Sequence, residues 1–172
     1  MPHPIINIAD VELQPRPAAT AVKGPATARY DARMGPISPR IGAQKLGYNL
    51  TAVAPGKRAF PLHNHRLNEE MFFVIEGSGE VRIGKLTHPI RAGDIIACPP
   101  GGQETAHQIV NTGATELRYL AVSTMQYPEM AEYPDSGKFG VFTVLGTGPD
   151  GQPQRFRFIG RENQALDYWD GE

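Results

Sequence analysis

The sequence predicts an all-β protein folded as a sandwich or closed barrel of the jelly-roll kind. Glycine and proline contribute 19 and 16 of the 172 residues and recur between short segments, as expected where many strands are joined by tight turns. Within these segments apolar and polar residues alternate, which is the period of a half-buried strand. Short strands at regular spacing favour antiparallel sheets over a parallel α/β sheet.

Alternation marks the strands in chain order. Residues 45–53 place Leu46, Tyr48, Leu50 and Ala52 on one face of the first strand. Later segments repeat the pattern, at 80–84, 116–123, 139–145 and 155–159. Turns are expected where Gly, Asn or Asp tolerate positive φ, at 76–79, 91–94, 111–113 and 149–151.

Composition changes outside this middle part of the chain, which we assign to a barrel over residues 41–125. Residues 1–40 are predicted to form an N-terminal arm, because residues 14–40 are rich in Pro, Ala and Gly and have little periodicity. Residues 126–172 are predicted to form a C-terminal extension, in which a Pro-rich connection is followed by two strands packing on the barrel.

Charge and composition exclude several classes of partner. With 17 basic and 18 acidic residues, the chain offers no electrostatic case for nucleic acid or an anionic membrane. The N-terminus lacks a signal-peptide pattern and no apolar run approaches about 18 residues, so a cytoplasmic protein is expected. The single cysteine, Cys98, excludes an intramolecular disulfide and is interpreted as a small buried hydrophobe.

The stretch HNHRLNEE contains the first candidate metal ligands. Residues two apart on a strand face the same side, so His63 and His65 would project together while Asn64 faces away. A lone His-x-His pair is more often solvent-facing than metal-binding. The hypothesis of a metal site therefore depends on further donors.

Glu70 and His107 supply those donors. Glu70 begins a strand after a turn at residues 66–68, whereas Glu69 falls on the opposite face with Met71, Phe73 and Ile75. His107 opens a later strand that a closed barrel can bring opposite the first pair. Three imidazoles and one carboxylate suit one divalent transition metal such as Zn, Fe, Mn or Ni, and suit Ca or Mg poorly. Four protein ligands on an octahedral metal would leave two positions open.

Two motifs in this order resemble those of the cupin superfamily. The first, G(X)5HXH(X)3-4E(X)6G, is matched with one extra residue before the histidines, by Gly56, His63, His65, Glu70 and Gly77. The second, G(X)5PXG(X)2H(X)3N, is matched by Gly93, Pro99, Gly101, His107 and Asn111. Here five residues rather than two precede the histidine, and strict spacing selects Glu104 instead. His107 is preferred because the H(X)3N ending fits it, and Glu104 stays a candidate base or a group that supports the ligands.

The resemblance implies a double-stranded β-helix with a metal inside the barrel, a small-molecule ligand and often a homodimer. The segments EYPDSGK and DYWDGE are similar to those of small bacterial single-domain cupins, some described as sugar-phosphate-isomerase-like. Fold does not fix chemistry. The resemblance is therefore compatible with three functions: Lewis-acid isomerase or lyase chemistry on a small polar metabolite, non-haem iron dioxygenation, and non-catalytic binding of a small molecule.

Overall fold

Strands account for most of the regular structure in the computed structural model, which describes residues 3–172 apart from the side chain of Ala19. One helical turn, α1, spans Ser38–Ile41. The strands are β1 Gln14–Pro15, β2 Ala32–Pro36, β3 Leu46–Val53, β4 Asn64–His65, β5 Glu70–Glu76, β6 Ser78–Ile83, β7 Leu86–Arg91, β8 Ile95–Cys98, β9 His107–Val110, β10 Leu117–Thr124, β11 Glu129–Tyr133, β12 Lys138–Thr147 and β13 Pro153–Gly160. No helix in the described part of the chain is long and apolar enough to span a membrane.

Six strands form one antiparallel layer in the order β1-β2-β3-β10-β5-β8. The central strand β10 pairs Leu120 with Leu50 of β3 on one side and with Phe73 of β5 on the other. The turn between β5 and β6 depends on Gly77, whose φ is +82°. A Cβ atom there would also lie 2.6 Å from the carbonyl oxygen of Glu116, so only glycine fits.

A second layer is assembled from two smaller sheets, β7-β6-β9 and β13-β12-β11-β4. They meet at an antiparallel bridge between His63 and His107. The amide of His107 donates to the carbonyl of His63 at 2.7 Å, and the amide of His63 donates to the carbonyl of His107 at 3.2 Å. The predicted double-stranded β-helix is confirmed, and two of the candidate ligands lie where its second layer closes.

The main core consists of side chains that the alternating strands point inward, among them Val53, Phe72, Val74, Leu117 and Tyr119. Burying one such apolar side chain contributes roughly 1.5–3 kcal/mol, so packing provides the stability that disulfides supply in other small domains. Cys98 is free and buried, as predicted. Burial raises the pKa of its thiol to about 12, so Cys98 is an unreactive part of the core.

The N-terminal segment adds two strands to the first layer and is therefore part of the sheet. Its strand β2 pairs with β3, and β1 pairs with β2. Val11, Ile37 and Leu50 form a second apolar cluster, against which Ile75 packs on the outer face of β5. Residues 1 and 2 of the predicted arm lie outside the described residues.

The C-terminal extension contains three strands, where the sequence indicated two after a Pro-rich connection. The additional strand is β11. Its buried positions are Glu129 and Ala131, so it lacks the apolar alternation by which a strand is recognised. Strand β7 was also missed, because it contains Pro89 and only Ile90 is buried. It lies at a sheet edge, where proline is tolerated.

Candidate metal centre

The four predicted ligands converge on one carboxylate oxygen. Glu70 begins β5 in the first layer, whereas the three histidines come from the second layer around β4 and β9. Oε2 of Glu70 lies 2.9 Å from Nε2 of His107, 3.5 Å from Nε2 of His65 and 3.8 Å from Nε2 of His63. One oxygen therefore faces three imidazole nitrogens between the layers.

Three of the four residues form the tighter group. The donor atoms of His63, Glu70 and His107 all lie within 4.8 Å of one another, close enough to hold a metal ion. His65 is outside this group, although its ring centroid is only 5.1 Å from that of His63. The structure thus brings together a compact triad with a fourth imidazole beside it.

Backbone carbonyls orient two of the rings. A carbonyl oxygen can only accept, so Nδ1–H of His63 donates to the carbonyl of Pro61 at 2.9 Å, and Nδ1–H of His107 donates to the carbonyl of Thr105 at 3.3 Å. Both rings therefore direct Nε2 toward Glu70. Thr105 ends the 3-10 turn Gln103–Thr105, which is how the chain folds the extra residues of the second motif.

The electrostatics of the cluster favour an ionised carboxylate among imidazoles. Burial would raise the pKa of Glu70, but the neighbouring imidazoles of His107, His65 and His63 hold that pKa far below its usual value. Burial, and then the neighbouring His107, lowers the pKa of His63 to about 4. Burial also acts to lower the pKa of His65, but Glu70 and Glu129 together raise it. His63 is thus neutral at physiological pH, as a metal ligand must be.

The donor set fits a divalent transition metal on its own geometry. Both ring nitrogens of His65 are buried and have no hydrogen-bond partner in the described residues. A buried polar group left unsatisfied costs about 1–3 kcal/mol, so Nε2, which faces Glu70 and the other imidazoles, needs a partner such as a metal ion. Three imidazole nitrogens and one carboxylate oxygen form a set preferred by Zn, Fe, Mn or Ni.

Glu104 lies outside the cluster. Its side chain is exposed and Oε1 accepts the amide of Gly102 at 2.9 Å, at the start of the 3-10 turn. Amide hydrogen bonds from Glu104 and Gly102 hold the pKa of this carboxyl below its usual value. Within residues 3–172 no hydrogen bond or ion pair joins it to the four predicted ligands.

The neighbours expected to face away do so. Glu69 is exposed on the opposite face of the chain. Asn64 is turned from the donors yet fully buried, with its amide donating to the carbonyl of Gly101 at 2.9 Å and to Oε2 of Glu132 at 2.8 Å. Asn111, the last residue of the second motif, donates to the carbonyls of Val53 and Thr115 and has a structural role.

Two residues near the cluster were missed in the sequence, and both belong to β11. Tyr133 stacks on His63 with ring centroids 6.2 Å apart and an interplanar angle of 21°. Glu129 is buried, and its Oε2 lies 3.7 Å from Nδ1 of His65. No motif spacing marks either residue, and the segment lacks the apolar alternation that would have indicated a strand.

Comparisons of sequence and of structure both match this chain to cupin proteins. The sequence model of the Cupin_2 family, described as a cupin domain, matches residues 49–123, which include all four candidate ligands. A structure from Silicibacter pomeroyi, described as a sugar phosphate isomerase from a cupin superfamily, gives a TM-score of 0.74 over 97% of this chain and 98% of that chain. Sequence identity to it is 22%, so this similarity concerns the fold.

Two relatives are similar over shorter segments. An uncharacterized protein of Methanocaldococcus jannaschii is 32% identical over 76 residues, which are 44% of this chain and 58% of that protein. The oxalate-binding protein of Thermotoga maritima is 36% identical over 61 residues, which are 36% of this chain and 48% of that protein. The matched segments therefore span about half the length of these relatives.

Proposed function

Residues 49–123 of the chain match a cupin domain, and on that premise we propose that its three clustered histidines and Glu70 hold one divalent transition metal for chemistry on a small polar metabolite. The observation that carries this proposal is the position of Glu70 Oε2, within 3.8 Å of three imidazole nitrogens. Nε2 of His65, which is buried with no hydrogen-bond partner in the described residues, supports it independently.

The favoured reaction is of the isomerase or lyase class, on a hydroxy-carbonyl compound such as a sugar or sugar phosphate. A bound divalent metal would supply Lewis acidity to such a substrate. The rings of Tyr133 and Phe60, whose centroids lie 6.2 Å and 6.1 Å from that of His63, place apolar surface beside this ligand. The name of the Silicibacter pomeroyi structure supports the same class.

No proton transfer is assigned to Glu104. Its carboxylate is exposed and occupied by the amide of Gly102, away from the donors. Glu70 is not assigned one either, because its carboxylate is the proposed anionic ligand of the metal. Tyr133 is the titratable residue that stacks directly on a ligand ring, and burial raises the pKa of its hydroxyl, so it would meet a substrate in the protonated form.

The test is metal-dependent turnover. Protein stripped by a chelator and reloaded with Zn or Mn is assayed against aldoses, ketoses and their phosphates, with His88→Ala as a matched control because His88 is an exposed histidine on β7. Interconversion that requires the metal, persists in His88→Ala and disappears in His63→Ala is expected. An unchanged panel with fully loaded protein would contradict isomerase or lyase chemistry.

The same preparation distinguishes the other two functions. Three histidines and one glutamate are also compatible with a non-haem iron dioxygenase, which would copurify with iron and consume oxygen with its substrate. Stoichiometric binding of a metabolite such as oxalate without turnover would support a binding protein, the function named for the Thermotoga maritima relative.

We also propose that the chain forms a homodimer through the outer face of β5 and β8. Phe73 and Ile95 are paired in register there and remain 38% and 70% exposed, beside the part of the face that the N-terminal segment covers. Adjacent exposed apolar side chains of this kind mark an interaction surface.

A further inference from the structure

We propose that Glu129, which lies outside the matched cupin domain, is the positioning residue for the imidazole of His65. The inference rests on the proposed metal centre. It assigns to the C-terminal extension a direct part in building that centre, through a carboxylate that no motif of the chain includes.

Glu129 is held rigidly by the loop that follows the His-x-His pair. Its Oε1 accepts the amides of Arg66 at 3.0 Å and Leu67 at 3.3 Å. Its Oε2 accepts the amide of Asn68 at 2.8 Å and also the side-chain amide of Asn68. The side chain is only 5% exposed. A buried carboxylate with this many donors has a fixed position.

Strand pairing places this carboxylate beside β4. Strand β11 runs antiparallel to β4, with Ala131 opposite His65 and Glu132 opposite Asn64. The imidazole of His65 consequently lies between two carboxylates. Its Nε2 is 3.5 Å from Oε2 of Glu70, and its Nδ1 is 3.7 Å from Oε2 of Glu129.

His65 differs from the other two histidines in what faces Nδ1. The Nδ1 atoms of His63 and His107 donate to backbone carbonyls, whereas Nδ1 of His65 is buried and makes no hydrogen bond to any described residue. A neutral imidazole that gives the lone pair of Nε2 to a metal must carry its proton on Nδ1. The acceptor that faces this proton is Oε2 of Glu129, so closing the gap from 3.7 Å to about 2.8 Å forms a charge-assisted hydrogen bond.

Such a bond fixes the tautomer and orientation of His65 and makes its Nε2 a stronger ligand for the metal. Partners of this type typically change metal affinity by about 10–100-fold when they are removed. The effect acts through His65, so Glu129 itself contacts neither the metal nor the substrate.

The experiment measures Zn(II) affinity of the full chain by competition with a chelator, in Glu129→Gln and in the matched control Glu132→Gln. Glu132 lies on the same strand but accepts from Asn64 and Arg66, and no hydrogen bond or ion pair joins it to a histidine within residues 3–172. Glu129→Gln is expected to weaken Zn(II) binding about 10–100-fold, whereas Glu132→Gln stays within about 3-fold. NMR of the Zn-loaded wild type is expected to show a protected Nδ1–H proton of His65, which Glu129→Gln loses or shifts upfield.

A second control separates positioning from support of the loop. Asn68→Ala removes the side-chain amide bonded to Glu129 but keeps the carboxylate, so it is expected to retain the Nδ1–H signal. Glu129→Gln with near wild-type affinity and an unmoved Nδ1–H proton would overturn the inference while leaving the metal centre intact. An equal loss of the signal in Asn68→Ala would also overturn it. Wild-type protein that binds no Zn(II) would overturn the proposed function itself.

Discussion

The thermal stability of Glu70→Gln is a sharp test of the cluster, because glutamine preserves the shape of the side chain and removes its charge. In the metal-free protein the Glu70 carboxylate faces Nε2 of His107 at 2.9 Å. A hydrogen bond to a charged group contributes about 1.5–3 kcal/mol. For a chain of this size each kcal/mol corresponds to about 2–4 °C in Tm, so Glu70→Gln is expected to lower Tm by roughly 3–12 °C without metal.

The larger effect is expected with metal. A ligand at about 1,000 times its Kd stabilises the folded state by about 4 kcal/mol, which raises Tm by roughly 8–16 °C. Wild-type protein should show that rise on adding Zn(II), and Glu70→Gln should lose most of it because the one anionic donor is gone. Thermal unfolding followed by circular dichroism, with chelator or with Zn(II), measures both quantities.

Glu69→Gln is the matched control, since Glu69 is the adjacent carboxylate and is exposed on the opposite face. It is expected to leave both Tm values within about 1 °C, as surface substitutions usually do. An undiminished Zn-induced rise in Glu70→Gln would refute the reasoning, and so would an equal loss of that rise in Glu69→Gln.

Three further predictions concern the rest of the molecule. The pKa of His63 falls from 6.5 to about 4 on folding, so its contribution to stability is present above pH 6.5 and is lost as pH falls toward 4. Urea unfolding of the metal-free protein should therefore show a loss of up to roughly 3 kcal/mol over this pH range. His63→Gln should not show that loss. Phe72→Ala should destabilise the chain by about 3–5 kcal/mol in the same assay, because Phe72 is buried against Tyr119; a cost below 1 kcal/mol would contradict its place in the core. Ile95→Glu should convert the proposed dimer to monomer in sedimentation equilibrium, and an unchanged mass equal to a dimer would place the interface elsewhere.

Strand periodicity carried most of the sequence prediction of the centre. Because side chains repeat every two residues, His63 and His65 could be placed on one side and Asn64 on the other without any structure. The same period separated Glu70 from Glu69. This use of strand periodicity has a physical basis, since a one-residue slip would bury the wrong face of the strand.

Contacts between distant segments could not be predicted in the same way. Glu129 and Asn68 are 61 residues apart, and the partners of Glu129 are mainly backbone amides, which every sequence offers. Strand β11 was missed for a related reason, because it buries Glu129 and Ala131 in place of large apolar residues. At Glu104, strict motif spacing selects a residue whose side chain the fold leaves exposed.

If four residues bind one metal, purified protein should contain that metal. Elemental analysis of the wild type, His107→Ala and the exposed-histidine control His88→Ala is expected to give about one transition-metal ion per chain in the first and third proteins. His107→Ala should retain about a tenth of that or less, because it loses the imidazole 2.9 Å from Glu70. Full metal occupancy in His107→Ala would contradict the assignment of the site.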